Sequence, residues 1–205
     1  MGWYGAWLLP RLLNRAMDTA DLREARVRVA AGLTGEVVEI GFGSGHNLPY
    51  VPAQVTRLIG VDPSETSQRL AAGRIASAAF PVEVLTGGAE RLPLPDASVD
   101  AALCTWTLCS VSDPLAAVRE VCRVLRRGGQ LHFVEHGRAP DASVRKWQAR
   151  LNPLQRRFVG GCTLDRDIPG LLELGGLTVT RLATYYVPRE PKVLAATYEG
   201  LAVPR

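Results

Sequence analysis

Short apolar runs and helix-spaced apolar positions alternate along most of the chain. The runs are rich in valine, leucine and isoleucine and end at glycine, aspartate or another turn residue, as buried strands do. They predict strands over residues 36–40, 57–61, 82–85, 99–105, 131–135, 178–186 and 193–203. Strands that alternate with helices form mostly parallel sheets covered on both faces. We therefore predict an α/β fold with a doubly wound, seven-stranded sheet.

Four helices are predicted between these strands. The first covers residues 64–79, the second begins at Pro114 and is stopped by Gly128-Gly129, and the other two cover residues 143–158 and 165–174. Asp113 is the expected cap of the second helix, with Pro114 at its first position. Asn152-Pro153 could interrupt the third, because proline removes a helical hydrogen bond.

A further helical segment precedes the first strand. Its apolar residues share one face of a helix and stand at positions 9, 12, 13, 16, 17 and 20. Trp3, Tyr4 and Trp7 come before them with no partner evident in the sequence. Three interpretations stay open for this segment: a lid over the substrate side, an interfacial membrane helix, or a helix packed on the domain without a role in chemistry. The lid is the one we favour.

Composition narrows the class of protein. Apolar residues make up 47% of the 205 residues and charged residues 21%, as in ordinary globular domains. The apolar run over residues 3–9 is too short to span a bilayer, and no secretory signal is evident. Cys104, Cys109, Cys122 and Cys162 lack C-x-x-C spacing and should be reduced thiols. We predict a cytoplasmic protein.

The net charge of +4 is concentrated in one region. Residues 137–157 carry six lysines or arginines and one aspartate, a local balance of +5. Such a helix could face an anionic membrane or an acidic partner, but a solvated face is the interpretation we favour. No nucleic-acid-binding motif accompanies the charge, so we expect no nucleic-acid partner.

A glycine-rich loop, Glu39-Ile-Gly-Phe-Gly-Ser-Gly45, follows the first predicted strand. Glycine lets a backbone turn tightly and approach a ligand closely. The spacing is G-x-G-x-G, whereas dinucleotide-binding loops have G-x-G-x-x-G. Glu39, two positions before Gly41, would repel a pyrophosphate but would attract an ammonium or sulfonium group.

Two more segments point to a nucleoside. Asp62 ends the second strand 19 residues after Gly43, where a carboxylate can accept hydrogen bonds from both ribose hydroxyls. The alternative is that Asp62 only caps the following helix. The turn Gly87-Gly-Ala-Glu90 follows the third strand, near the expected place of an adenine ring.

These motifs resemble those of the class I S-adenosylmethionine-dependent methyltransferases, in particular the ubiquinone-biosynthesis-like branch. The resemblance covers residues 36–136 and rests on residues 39–45, Asp62, Ala89-Glu90 with Leu92-Pro93, and residues 125–129. A narrower likeness over residues 104–111, 119–125, 135–136 and 161–166 links the chain to the thiol methyltransferases of animals and their bacterial relatives.

The resemblance implies a site for S-adenosylmethionine, converted to S-adenosylhomocysteine, and no metal. Its implied cofactor-binding residues are Glu39, Gly41, Phe42, Gly43 and Asn47 around the methionine part, Asp62 and Pro63 at the ribose, Ala89 and Glu90 at the adenine, and Thr105 beneath the sulfonium end. Gly88 departs from the pattern, since many relatives have aspartate there, and so does Phe42, where cysteine or alanine is more usual. The animal thiol enzymes also have a hydrophobic N-terminal anchor, where this chain has only a short Trp/Leu segment.

We predict one Rossmann-like domain over residues 1–205. Residues 1–35 form the helical lid or extension, 36–136 the cofactor-binding core, and 137–205 the substrate-side helices and last strands. The N-terminal segment could also make a peripheral membrane contact.

Methyl transfer from a sulfonium is an in-line displacement, so the protein must mainly hold the acceptor and exclude water. A thiol with a pKa near ~8.5 ionises at pH 7 for about 2 kcal/mol and needs no strong base. His136, beside Glu135, is the candidate base, although a purely structural role is nearly as well supported. Aromatic residues that could line an apolar acceptor pocket are Trp7, Trp106, Trp147 and Tyr185.

The favoured function is methylation of a small lipophilic thiol. A quinone-like carbon or a phenolic oxygen is the alternative acceptor. A non-catalytic cofactor-binding partner protein is the alternative class.

Overall fold

The computed structural model describes residues 4–205, and its centre is a seven-stranded sheet in the order β3-β2-β1-β4-β5-β7-β6. The strands are β1 Gly35–Ile40, β2 Val55–Asp62, β3 Val82–Thr86, β4 Val99–Thr105, β5 Leu125–His136, β6 Leu177–Tyr186 and β7 Ala196–Pro204. Strands β1 to β5 are parallel, and β7 runs antiparallel to both β5 and β6. The predicted mostly parallel, doubly wound sheet is confirmed.

The helices are α1 Leu9–Ala16, α2 Ala20–Ala30, α3 Glu65–Ala76, α4 Pro114–Val124, α5 Ala142–Phe158, α6 Ile168–Leu174 and α7 Lys192–Ala195. A π-helical turn, Tyr4–Leu8, precedes α1, and a 3-10 turn, Leu48–Tyr50, lies between β1 and β2. Side-chain caps begin several helices: Asp113 accepts from the Ala116 amide at α4, and Asp167 accepts from the Gly170 amide at α6.

Alternate residues of the strands pack on opposite faces of the sheet. Val38 and Phe133 belong to one cluster, which α4 and α6 cover through Val121 and Leu172. Val37, Leu103 and Val134 belong to a second cluster, which α2 covers through Leu22, Ala25 and Val29. Because successive strand residues point to opposite faces, nearly continuous apolar strands are buried on both sides.

Two predictions for the part of the chain before β5 are wrong. The N-terminal stripe is not one helix, because the chain leaves the helix after Ala16 and Thr19 caps α2 by accepting from the Leu22 amide at 3.4 Å. Helix α4 ends at Val124 rather than at the glycines, since Leu125 is buried and already pairs with Val99 in the sheet.

The other two differences lie in the C-terminal part. Helix α5 continues through Pro153, because Pro153 and Ala149 are exposed and water can satisfy the carbonyl that proline leaves unpaired. The last predicted strand begins only at Ala196, since residues 192–195 form α7. No helix within residues 4–205 is long and apolar enough to cross a membrane.

Candidate functional site

The candidate site lies where β1, β2 and β4 end. In this sheet β1 has β2 on one side and β4 on the other, so the connections leaving β1 and β4 diverge to opposite sides. Ligands of open α/β sheets bind in the crevice at such a switch point. The predicted residues Glu39, Asp62 and Thr105 stand at these three strand ends.

The glycine loop turns back sharply after β1. Gly41, Gly43 and Gly45 all have positive φ angles, of 69°, 55° and 74°. A Cβ at Gly41 would collide with the Thr107 side chain, whereas a Cβ at Gly43 would meet nothing closer than 3.7 Å. Glycine is therefore required at 41 by packing and at 43 by backbone conformation.

Asp62 is tied to this loop from the end of β2. Its Oδ2 accepts from the Gly43 amide and its Oδ1 from the Ser64 amide, both at 2.8 Å. Burial raises the pKa of Asp62, and the two amide donors oppose that shift. The helix-cap alternative is wrong because the cap of α3 is Ser64, which accepts from the Ser67 amide.

Glu39 is buried with one oxygen unsatisfied. Its Oε1 accepts from Asn47 Nδ2 at 2.8 Å, and its Oε2 has no hydrogen-bond partner within the described part of the chain. Asn47 Nδ2 also donates to Thr105 Oγ1 at 3.0 Å, so the predicted residues Glu39, Asn47 and Thr105 are joined. Burial raises the pKa of Glu39 to about 8.

Arg26 of α2 is a site residue that the sequence analysis missed. Arg26 is only 3% exposed. Its Nη1 donates to Asn47 Oδ1 at 3.4 Å, and its guanidinium lies 4.6 Å from the centre of the Trp106 ring. Burial lowers the pKa of Arg26 to about 10, which keeps it charged at neutral pH. The sequence did contain a signal for this role: a charged residue at a core position of α2, next to Ala25 and one turn from Val29.

These groups together fit an α-amino acid. The unpaired oxygen of Glu39 can accept a hydrogen bond from an ammonium group. The guanidinium of Arg26 lies next to Asn47, so it can attract a carboxylate on the same ligand. Asp62 adds acceptors suited to ribose hydroxyls at the next strand end. The donor set therefore fits S-adenosylmethionine, which carries both kinds of group.

Other predicted cofactor residues take different places. Phe42 is buried and packs against Gly60 and the cluster of Leu48, Leu58 and Ala71, so its side chain holds the loop to α3. Pro63 is exposed after β2, and Ala89 is buried.

Glu90 is committed to the start of α4. Its Oε1 accepts from the hydroxyl and amide of Ser112 and from the Asp113 amide. Only its Oε2 is left for a ligand.

Glu135 and His136 end β5 on the other side of β4. Glu135 is fully buried and accepts from the amides of Thr107, Leu108 and Cys109 and from the Cys104 thiol. It is therefore saturated and fixes the loop after β4 instead of orienting His136. His136 Nδ1 is buried without a hydrogen-bond partner among the described residues.

The predicted acceptor-pocket residues divide into two groups. Trp106 and Tyr185 belong to the same apolar cluster, and Trp106 has a positive φ of 50° and an unpaired, buried indole nitrogen within the described structure. Trp147 is 56% exposed on α5 and stacks with Arg150, so it faces solvent, and its place in an acceptor pocket stays a prediction. Trp7 is 45% exposed and stacks with Arg11.

The N-terminal segment lies against the glycine loop. His46 Nε2 contacts the Asn14 carbonyl at 3.1 Å, and Arg74 links the Asn14 side chain to the Ser44 carbonyl. Tyr4 donates to the Phe158 carbonyl at the end of α5. The segment thus touches both sides of the strand ends; its action as a lid stays a prediction, and Trp3 lies outside the described residues.

Within residues 4–205, no three metal-ligating side chains are grouped to hold an ion.

Known proteins match this chain in sequence and structure. The family model for the methyltransferase domain matches residues 38–133. The human thiol S-methyltransferase TMT1A is 31% identical over 179 residues, which cover 84% of this chain and 73% of that protein. The ubiquinone/menaquinone biosynthesis C-methyltransferase UbiE of Rubrivivax gelatinosus is 34% identical over 110 residues, 53% of this chain and 43% of its own length.

Among solved structures, a SAM-dependent methyltransferase from Aquifex aeolicus superimposes with a TM-score of 0.67 at 20% identity, covering 94% of this chain and 97% of that one. It shares the fold. The switch-point crevice, the residues that fit an adenosyl amino acid and these similarities agree. The chain belongs to the class I S-adenosylmethionine-dependent methyltransferases and is an enzyme of that class.

Proposed function

We propose that this enzyme transfers the methyl group of S-adenosylmethionine to a small lipophilic thiol. The observation that carries the proposal is the similarity to thiol S-methyltransferase TMT1A, because it extends over 84% of the chain. It therefore reaches well beyond the cofactor-binding residues 36–136. The acceptor side is compatible with a thiol, since Glu135 is saturated and leaves the imidazole of His136 as the base.

The cofactor would be held by its two ends. Glu39, which accepts from Asn47, would accept from its ammonium group, and Arg26, on the other side of Asn47, would attract its carboxylate. Asp62 would accept from the ribose hydroxyls, and Gly43, which has no side chain, would let the backbone come close. When bound, the group supplies an activated methyl, so this chain's own task is to align and shield the acceptor.

The acceptor would lie between the end of β4 and the end of β5. The Trp106 ring and the cluster containing Tyr185 offer apolar surface there, while the Tyr185 hydroxyl is engaged with Glu199 at 2.7 Å. His136 takes the acceptor proton at its unpaired Nδ1. A thiol gives up that proton at little cost near neutral pH, which a carbon or alcohol acceptor does not.

A panel of thiols, each paired with its oxygen analogue, and several quinols tests the acceptor class. We expect release of S-adenosylhomocysteine with thiols, at a kcat/KM at least ~10-fold above that of the paired phenol or alcohol, a difference of about 1.4 kcal/mol in the barrier. Turnover of a quinol or phenol that exceeds every thiol would assign a C- or O-methyltransferase. Binding of the cofactor without turnover of any acceptor would indicate the non-catalytic class.

The ribose assignment is tested with Asp62→Ala. Loss of a charged acceptor from buried hydroxyls should cost about 1–3 kcal/mol, roughly 5- to 150-fold in affinity for S-adenosylhomocysteine by calorimetric titration. Asp96→Ala is the control, since that exposed carboxylate pairs with Arg123 away from the strand ends. Thermal unfolding of the unliganded variants separates binding from folding, and wild-type affinity in Asp62→Ala contradicts the assignment.

His136→Ala tests the base through pH and acceptor acidity together. An aliphatic thiol is about 3% thiolate at pH 7. The variant should therefore lose roughly tenfold in rate there and recover most of it near pH 9. A thiophenol, already largely ionised at pH 7, should be nearly insensitive to the substitution. An equal loss for both acceptors at every pH would mean that His136 only positions the acceptor, and full activity would make it structural.

A further inference from the structure

Two cysteine thiols meet beside the acceptor side, next to His136. Cys109, in the loop between β4 and α4, and Cys162, in the loop between α5 and α6, are 2% and 6% exposed. The side chains of Cys109 and Cys162 face each other and interact through their sulfur atoms. The amide and the hydroxyl of Thr163 both donate to the Cys109 carbonyl, at 2.8 and 3.0 Å. The backbone thus holds two residues far apart in sequence side by side.

The groups around the pair favour a thiolate on Cys162. The Cys109 thiol, His136 of β5 and Gln155 of α5 all face it, so the pKa of Cys162 is lowered despite burial. The neighbouring sulfur, burial and the carboxylate of Glu135 raise the pKa of Cys109. The two thiols are therefore unequal: Cys162 ionises more readily than Cys109.

The other cysteines differ from this pair. Cys104 lies within β4 and donates to Glu135, which together with burial raises its pKa. Cys122 on α4 is half-buried against the Gly175 carbonyl, and burial raises its pKa as well. Neither is placed to act as a nucleophile.

The loop over Cys162 is thin and built on glycine. Gly160 and Gly161 have positive φ angles of 57° and 88°, and Gly160 is exposed. A Cβ at Gly161 would lie 3.0 Å from the Ser110 carbonyl, so glycine allows the close approach of the two loops. The exposed turn at Gly160 is the side from which a small reagent would reach Cys162 through local opening of the loop.

We propose that Cys109 and Cys162 form a thiol–disulfide exchange pair that reacts with low-molecular-weight disulfides. The Cys162 thiolate attacks one sulfur of the disulfide, forms a mixed disulfide and releases one thiolate. Cys109 then gives up its proton to that thiolate and attacks Cys162 Sγ, which expels the second thiolate. The protein loses two electrons and the proton of Cys109, and one disulfide becomes one thiol and one thiolate, which takes its proton from water. The resulting bridge ties the loop after β4 to the loop after α5.

The test uses the full chain, reduced and then incubated with glutathione disulfide. Free thiols are alkylated, and the digest is analysed by mass spectrometry. We expect a cross-link between residues 109 and 162, with Cys104 and Cys122 alkylated. At pH 6, Cys162 should react at least ~10-fold faster than Cys122, because the pKa of Cys162 is lowered and that of Cys122 is raised. A reducing thiol should restore the starting mass.

Single substitutions separate the two steps. Cys109→Ser should accumulate the mixed disulfide on Cys162, whereas Cys162→Ser should leave Cys109 reduced. Cys122→Ser is the matched control and should form the cross-link like the wild type. Oxidation of Cys109 in Cys162→Ser, or a wild-type chain in which Cys122 reacts first or no cross-link forms, overturns the proposal. If a variant fails to fold by circular dichroism, the comparison of Cys162 with Cys122 within one wild-type digest decides.

Discussion

A carboxylate, an amide and a guanidinium are buried together at the end of β1, and the rest of the site depends on them. Glu39 and Arg26 do not bond to each other directly; Asn47 stands between them, donating to the carboxylate and accepting from the guanidinium. Burying two charges costs several kcal/mol each unless both are compensated, and the raised pKa of Glu39 reflects that cost. Here one carboxylate oxygen is left without a donor, so the compensation is incomplete in the protein alone. A cationic ligand group completes it.

The sheet contains a second buried carboxylate, Glu135, whose hydrogen-bond partners differ from those of Glu39. Glu135, at the end of β5, accepts from three backbone amides and a thiol and is fully buried, so neither of its oxygens is left without a donor. Its work is to fix the loop after β4, which carries Trp106 and Cys109. The number of donors around each carboxylate thus separates a ligand-binding group from a structural one. The same loop links the cofactor side, through Trp106 and Arg26, to the thiol pair.

The sequence predicted the sheet and the strand-end residues because both follow from local patterns. Apolar runs mark buried strands, and glycines and acids at their ends mark the ligand crevice. Arg26 was missed because its role arises from tertiary packing of α2 onto β1 and β4, which no local motif records. The end of α4 was misplaced for a related reason: pairing of Leu125 with Val99 overrode the helix-stopping glycines. Residue type alone also did not predict the exposure of Trp147, an aromatic residue on α5 that faces solvent.

The number of protons released when a ligand binds reports directly on the ionisation of the buried Glu39. With its pKa raised to about 8, Glu39 is mostly protonated at pH 7 in the free protein, and an ammonium group should ionise it. Binding of S-adenosylhomocysteine should therefore release up to about one proton per site, and affinity should rise with pH toward pH 8. Calorimetry in two buffers of different ionisation enthalpy gives that number. Methylthioadenosine, which lacks the amino acid group, and the Glu39→Gln variant should release none. Unchanged affinity of Glu39→Gln with no proton release in the wild type would contradict the role of Glu39.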